Sequence, residues 1–235
     1  MNFFQRLQGI FFNPLETLKA LSEKPAWVDV LVFLLIIVSL YSFIIIPYQN
    51  KDSLQTWKSN VKLQERLGDE SYKRTIERLE NPPEWLRYTQ SFLMIPFSIF
   101  ISFLFSSLII LGLGRLFSTE GKYVLVLAAF LHAQLIDKLL GNGLRLTLVL
   151  IRKSTMQTST SLALFFPRLE VSSLAYVILG QFDFFQIWLF GILCYGLSSI
   201  FKIELKKALL LSYGFWLLKS IFNIAITLPF LRLMG

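Results

Sequence analysis

The sequence has few of the residues that usually support metal binding, covalent cross-linking or catalysis. Its 235 residues include one cysteine, Cys194, and one histidine, His132. A single cysteine cannot form an internal disulfide, which excludes a secreted disulfide scaffold. A transition-metal site also lacks its usual His and Cys ligands. We therefore expect neither an enzyme nor a bound cofactor.

Charged residues are also scarce, at 16% of the chain compared with about 25% in ordinary soluble domains. The formal net charge is +8, but the basic residues are scattered between apolar runs and form no basic helix or known binding module. This pattern excludes nucleic acid as a partner. Hydrophobic residues make up 54% of the sequence, and runs of about 20 apolar residues, enough to cross a bilayer, recur along it.

These runs predict an all-α integral membrane protein with five transmembrane helices. The lipid bilayer is the expected surrounding, and five spans place the two termini on opposite sides of it. Pro47 and Pro229 are expected to mark the ends of the first and last spans, because proline disrupts a helix interior. The predicted spans are residues 27–46, 92–113, 123–151, 182–201 and 208–228.

Residues 1–26 are predicted to form an amphipathic interfacial segment ahead of the five-span domain at 27–235. Asn13, as an N-cap before Pro14, should divide it into two short helices. These helices either lie along the membrane surface or pack on the spans. The apolar stripe consists of Phe4, Leu7, Phe11, Leu15 and Leu18.

Residues 49–90 form the only long extramembrane loop, with eight basic and seven acidic side chains. Apolar residues at helical spacing predict two helices separated near Gly68 and ended by Asn81-Pro82-Pro83. About forty residues bury too little surface for an independent domain. We expect a helical hairpin that rests on the membrane. Its apolar positions are Leu54, Trp57 and Val61, then Tyr72, Ile76 and Leu79.

The third span carries a polar stripe within an arc of about 140°. Each uncompensated charge at mid-membrane costs about 3 kcal/mol, so the stripe should face protein, a wet cavity or headgroups. Two roles are compatible with the polar stripe: it stabilises the fold, or it forms a transport path. His132 lies on the opposite, apolar side and is expected to be packed. The candidate intramembrane polar network comprises Gln134, Asp137, Lys138, Asn142 and Arg145, with Lys219 from the fifth span.

Two further features concern single positions on the spans. Asp183 stands at the entrance to the fourth span and is a candidate helix cap or partner contact. Ser98, Ser102 and Ser106 recur every four residues on the second span. They predict a face where another helix packs closely.

Several stretches, taken in order, resemble the Yip domain family of polytopic membrane proteins in its bacterial form. The resemblance covers nearly the whole chain except the long loop. The matching residues are Asn13-Pro14, Lys24-Pro25-Ala26-Trp27, Thr160-Ser161-Leu162-Ala163, Phe182-Asp183 with Phe185 and Trp188, Gly196-Leu197, and Lys202 with Lys206-Lys207-Ala208.

The resemblance implies five spans in the cell membrane, with a cytoplasmic N-terminus and the C-terminus on the far side. The distribution of basic residues does not decide this orientation by itself. The aspartate-leucine-tyrosine-glycine-proline segment of eukaryotic members is missing, so Rab GTPase binding is not carried over. A proline common in the third span is also replaced, here by His132-Ala133-Gln134.

Two functions are compatible with these features. The first is a non-enzymatic scaffold or accessory factor for other integral membrane proteins, for further copies of itself or for membrane organisation. The second is a small transporter or lipid-moving protein that uses the third-span stripe as a path. Internal repeats and paired discontinuous spans, which mark many secondary transporters, are not detectable, and this favours the scaffold.

Overall fold

The computed structural model describes residues 1–59, 68–156, 158, 160–171 and 173–234. Within these residues the structure is almost entirely helical, with one isolated β-bridge between Ser161 and Asp183 and a short 3-10 turn at Leu162–Phe165. The α-helices are α1 (Phe3–Phe12), α2 (Pro14–Glu23), α3 (Val28–Ser59), α4 (Asp69–Glu80), α5 (Glu84–Gly114), α6 (Tyr123–Arg152), α7 (Leu174–Gln181), α8 (Phe184–Phe201) and α9 (Leu205–Met234).

Five of these helices, α3, α5, α6, α8 and α9, are long and apolar enough to cross a membrane. This confirms the predicted all-α architecture and the number of candidate spans. Helix α6 is the central one, because 72% of its most apolar window is buried, compared with 22% for α5 and for α9. All residues 126–137 are buried. The predicted polar stripe therefore begins inside the protein.

Small side chains allow the other helices to approach α6 closely. Gly196 of α8 faces Ala129 of α6, and a Cβ atom on this glycine would lie 3.1 Å from the Ala129 side chain. On a neighbouring face of α6, Phe103 of α5 packs edge-on against Phe130 with ring centroids 6.1 Å apart. Helix α6 is thus held between α5 and α8.

The N-terminal helices pack on this bundle. Helix α2 lies against α8 and α6, and Ile10, Leu18 and Leu21 are buried in the main hydrophobic core. Phe4 and Phe12 point away from it and are 71% and 86% exposed. One face of the N-terminal segment therefore packs on the spans. The outward phenylalanines on its other face remain available to a membrane surface.

The caps of these two helices differ from the sequence prediction. A capping box at Asn2 begins α1: Gln5 N donates to Asn2 Oδ1 at 2.8 Å, and Asn2 N donates to Gln5 Oε1 at 2.9 Å. Asn13 is the N-cap residue of the second helix, as predicted, but its side chain accepts no backbone N–H. Asn13 Nδ2 instead donates to Glu16 Oε2 at 2.5 Å.

Helix α3 continues through Pro47 to Ser59, so the prediction that Pro47 ends this helix is wrong. Proline has no N–H and leaves the carbonyl four residues earlier, at Phe43, without its helical donor. Arg87 of α5 supplies that donor: its Nε and Nη2 atoms lie 3.0 and 2.7 Å from the Phe43 oxygen. Pro229 also lies within its helix, α9, and does not end it.

The predicted helical hairpin forms from the end of α3 and from α4. Helix α4 begins at Asp69 after Gly68, whose φ of 76° suits glycine, and its C-cap is Asn81, as predicted. Tyr72 donates through its hydroxyl to the Trp57 carbonyl at 3.2 Å and joins α4 to α3. Val61, part of the predicted first helix, lies outside the described residues.

The serine face of α5 does not pack as predicted within this chain. Ser98 and Ser102 are exposed, whereas Phe103 and Ile110 are buried. Larger apolar side chains fill the space beside α6, because they bury more surface than serine can. Ser98 and Ser102 consequently face outward, while Ser106, the third predicted serine, is half-buried.

Candidate functional site

The most charged part of the helical interior surrounds Asp137, which is only 2% exposed. Each carboxylate oxygen has its own cation: Oδ1 lies 2.9 Å from Arg145 Nη2, and Oδ2 lies 2.8 Å from Lys138 Nζ. An unpaired carboxylate at this position would be costly, since burial removes its hydration. The two cations therefore stabilise the charged form of Asp137.

Local backbone geometry brings Asp137 and Arg145 together. They are eight residues apart on α6, which is about 12 Å along the axis, so the arginine must fold back along the helix. Gly141 leaves room midway, because a Cβ there would lie 3.1 Å from Arg145 Nη1 and 3.2 Å from Asp137 Oδ1. A π-helical turn at Ile136–Gly141 changes the spacing here. The helix is nevertheless continuous through Gly141-Asn142-Gly143, although two glycines there could have interrupted it.

Asp183 acts both as a helix cap and as a partner of Arg145. Its Oδ1 accepts the backbone N–H groups of Phe185 and Gln186 at 2.9 and 3.2 Å, at the start of α8. Its Oδ2 lies 3.0 Å from Arg145 Nη2. Arg145 therefore connects the central helix to the N-terminus of α8 through the Asp183 carboxylate.

The chain before α8 completes this cluster. Arg145 donates through Nε to Thr160 Oγ1 at 3.2 Å and through Nη1 to Asn142 Oδ1 at 3.1 Å. Thr160 in turn donates to Asp183 Oδ2 at 2.5 Å. The backbone of Thr160 also accepts the Phe184 N–H at 3.2 Å. In the sequence, Thr160 stands out only through the family resemblance, since an isolated threonine in a loop carries no signal of its own.

Two of the predicted network residues lie apart from the charged cluster. Gln134 is buried one turn before Asp137, and none of the described hydrogen bonds joins it to the cluster. Lys219 of α9 donates instead to Gln186 Oε1 at 3.0 Å. The ion-pair network thus consists of Asp137, Lys138, Arg145 and Asp183, with Asn142 and Thr160 as neutral partners.

A second buried polar cluster joins the N-terminal segment to the central helix. Arg6 of α1 donates to His132 Nε2 through Nε at 3.2 Å, to Asp29 through Nη2, and to the Met1 carbonyl through Nη1 at 2.8 Å. His132 bonds through Nδ1 to the Ala128 carbonyl at 2.8 Å. Helical spacing places Arg6 off the apolar stripe, so its buried role could not be predicted from the sequence.

The two clusters bind parts of the fold to one another. Their oxygen and nitrogen atoms are directed at protein partners, and Cys194, the single cysteine, is buried with its Sγ 2.9 Å from the Gly191 carbonyl. Among the described residues, no group of three or more His, Cys, Asp or Glu side chains could hold a metal ion. The chemistry of both clusters is that of ion pairing and hydrogen bonding.

Comparisons with known protein families, with curated proteins and with solved structures find no match. The resemblance to the Yip domain family therefore stays a prediction from the sequence.

Proposed function

We propose that this chain is a multi-pass protein of the cell membrane that acts as a non-enzymatic scaffold or accessory factor for other integral membrane proteins or for membrane organisation. In this proposal it is a bacterial Yip-like protein, with its N-terminus in the cytoplasm. Five apolar helices support the membrane location, and the closed ion-pair network around Asp137 supports the structural role.

The ion-pair network around Asp137 is the observation that favours a scaffold over a transporter. A charged transport path needs groups that can exchange partners with water or cargo. Asp137 has both oxygens occupied by Lys138 and Arg145, and Arg145 is further held by Asp183. Replacing Asp137 would leave Lys138 without its ion-pair partner, and replacing Arg145 would leave Asp183 without its own. This arrangement favours stability over passage.

The outward surfaces suit contact with lipid or with other spans. Helices α5 and α9 bury the smallest share of their apolar windows, and large side chains such as Phe97, Phe105 and Phe222 are exposed on them. Exposed apolar patches of this extent mark membrane or protein contacts. The exposed Ser98 and Ser102 give α5 a flat strip where a second helix can approach closely.

The test combines affinity purification with a flux measurement. Tagged full-length protein is purified in mild detergent, and co-purifying integral membrane proteins are identified; a Lys206→Gln variant, altered at an exposed lysine, is the matched control. The scaffold role predicts that the wild-type protein and Lys206→Gln co-purify with the same membrane proteins. It also predicts no ion or lipid flux in reconstituted vesicles beyond that of protein-free vesicles. Flux that changes in a stably folded Asp137→Asn variant would instead establish the transporter.

A further inference from the structure

A polar cavity of about 250 Å³ lies between the end of α7, the first turns of α8 and the middle of α9. It is separate from the paired carboxylates of the network. Trp216 forms part of the wall, and four other side chains can donate hydrogen bonds through amide or ammonium nitrogen. The donors are Gln181, Gln186, Lys219 and Asn223.

Lys219 is the only charged group among the described residues that line this cavity. Its Nζ donates to a neutral oxygen, Gln186 Oε1, at 3.0 Å and lies 6.0 Å from the centroid of the Phe190 ring. None of the ion pairs found within the described ranges includes it. An ammonium group in such surroundings lacks an anionic partner, which is unfavourable for a partly buried charge.

The groups around the cavity also carry fewer negative than positive charges. The neighbouring network contains two carboxylates, Asp137 and Asp183, whose oxygens bind Lys138 and Arg145. Counting Lys219, three cations face two anions. One negative group placed in the cavity would balance this part of the protein.

The remaining donors are placed for an oxyanion. Asn223 Nδ2 makes only a long contact of 3.4 Å with Gln181 Oε1, so it can turn to a better acceptor. Gln186 uses its oxygen for Lys219, which leaves its amide N–H groups for a ligand. An ammonium group with amide donors beside it matches a phosphate oxygen set.

The position of the cavity indicates where such a phosphate comes from. Gln186 lies three residues inside α8 from Asp183, about 5 Å from the end of that helix, which puts this wall of the cavity near the headgroup region when α8 spans the bilayer. Phe182 and Trp216 pack edge-on nearby with centroids 5.4 Å apart, and tryptophan is enriched at membrane interfaces. Beside the cavity, Leu218 and Phe222 of α9 expose an apolar surface suited to acyl chains.

We propose that this cavity binds the phosphate group of an anionic phospholipid, with Lys219 as the ion-pair partner and Asn223 and Gln186 as hydrogen-bond donors. The inference rests on the membrane location in the proposed function but not on the scaffold role. The glycerol backbone and acyl chains lie along the outward face of α9.

The experiment measures lipid binding to the full-length protein in a detergent without phosphate, by native mass spectrometry and by the shift in thermal unfolding. Phosphatidylglycerol, phosphatidylcholine and inorganic phosphate are added separately. Phosphatidylglycerol should bind more tightly than phosphatidylcholine, and Lys219→Gln should weaken it about tenfold, as expected for a charge-assisted hydrogen bond. Lys219→Arg should keep binding within about threefold, since it retains the charge.

Lys206→Gln is the matched control, because it removes one exposed lysine and should leave binding unchanged. If Lys219→Gln does not fold, Asn223→Leu provides the second variant and should weaken binding while Lys219 stays in place. Equal binding to wild type and Lys219→Gln, or equal binding of the two lipids, would overturn the proposal. Binding of inorganic phosphate alone would overturn the lipid source.

The lipid site and the scaffold role can fail separately. Loss of specific lipid binding while membrane partners still co-purify would reject only the site. Purification of the chain as a soluble protein without detergent would reject the membrane location, and with it both proposals.

Discussion

Arg6 of α1 donates through Nε to Nε2 of His132 on α6 at 3.2 Å, although 126 residues separate the two in the sequence. His132 Nδ1 is bonded to the Ala128 carbonyl, so this nitrogen carries the proton and Nε2 is free to accept. The neutral imidazole therefore serves as an acceptor for the N-terminal helix. This contact, together with the ion pair from Arg6 to Asp29, holds α1 to the spans.

Replacing Arg6 with Gln should loosen the N-terminal segment. The variant removes buried charge-assisted hydrogen bonds, each worth about 2 kcal/mol, and we expect a lower thermal unfolding temperature in detergent. Lys19→Gln is the matched control because it removes one exposed positive charge from the adjacent helix. Equal unfolding temperatures for the two variants would show that α1 is not held by this contact.

Asp137→Asn should destabilise the protein by about 3 kcal/mol, because it leaves the buried cations without a full counter-charge. We expect Asp137 to be coupled more strongly to Arg145 than to Lys138, because bonds to Asp183 and Thr160 also hold the Arg145 side chain in place. A double-mutant cycle with Arg145→Gln, read by thermal unfolding, should give a coupling energy of about 1 to 3 kcal/mol. Additive effects would mean that the two groups are not paired.

Two glycines near the end of α5 make a matched pair for packing. A methyl group on Gly114 would overlap the Phe201 ring, whereas one on Gly112 would meet none of the described residues of other elements within 4 Å. Gly114→Ala should therefore cost about 1 to 3 kcal/mol of overpacking. Gly112→Ala should be neutral or stabilising by up to about 1 kcal/mol, because alanine favours the helix. Equal effects on thermal stability would contradict the close approach of α5 and α8.

The proposed orientation can be tested by labelling single cysteines in intact cells. In a Cys194→Ala background, a membrane-impermeant reagent should modify Ser59→Cys at the end of α3 and leave Ser118→Cys unmodified. Ser59 ends α3 and Ser118 follows the end of α5. Because these two spans run in opposite directions, the two residues lie on opposite sides of the membrane, with Ser118 on the cytoplasmic side. The reverse labelling pattern would invert the topology while preserving the five-span arrangement.

The number and approximate place of the apolar helices could be predicted because hydrophobic length is a local property. Their ends could not, since the continuation of α3 through Pro47 depends on Arg87 reaching the Phe43 carbonyl. That contact joins residues 44 positions apart, and no local pattern marks it. Proline alone favours a helix end, and a tertiary hydrogen bond reverses the outcome.

The candidate site is predictable to a similar degree. Helical spacing places Asp137, Lys138 and Arg145 in one arc, but it does not show that Arg145 folds back past Gly141. The contact of Arg145 with Asp183 depends on how α8 packs against α6. Polarity alone groups Lys219 with these residues, and the packing of α9 directs it to Gln186 instead.

The unbroken course of α3 has a mechanical consequence. Its 32 residues extend about 48 Å, whereas the hydrocarbon core of a bilayer is about 30 Å thick. With the N-terminal part of α3 in the bilayer, about three turns project beyond it as a rigid lever that carries α4. A partner that pulls or tilts this lever would rotate the first span directly, without any flexible joint at Pro47 to absorb the movement.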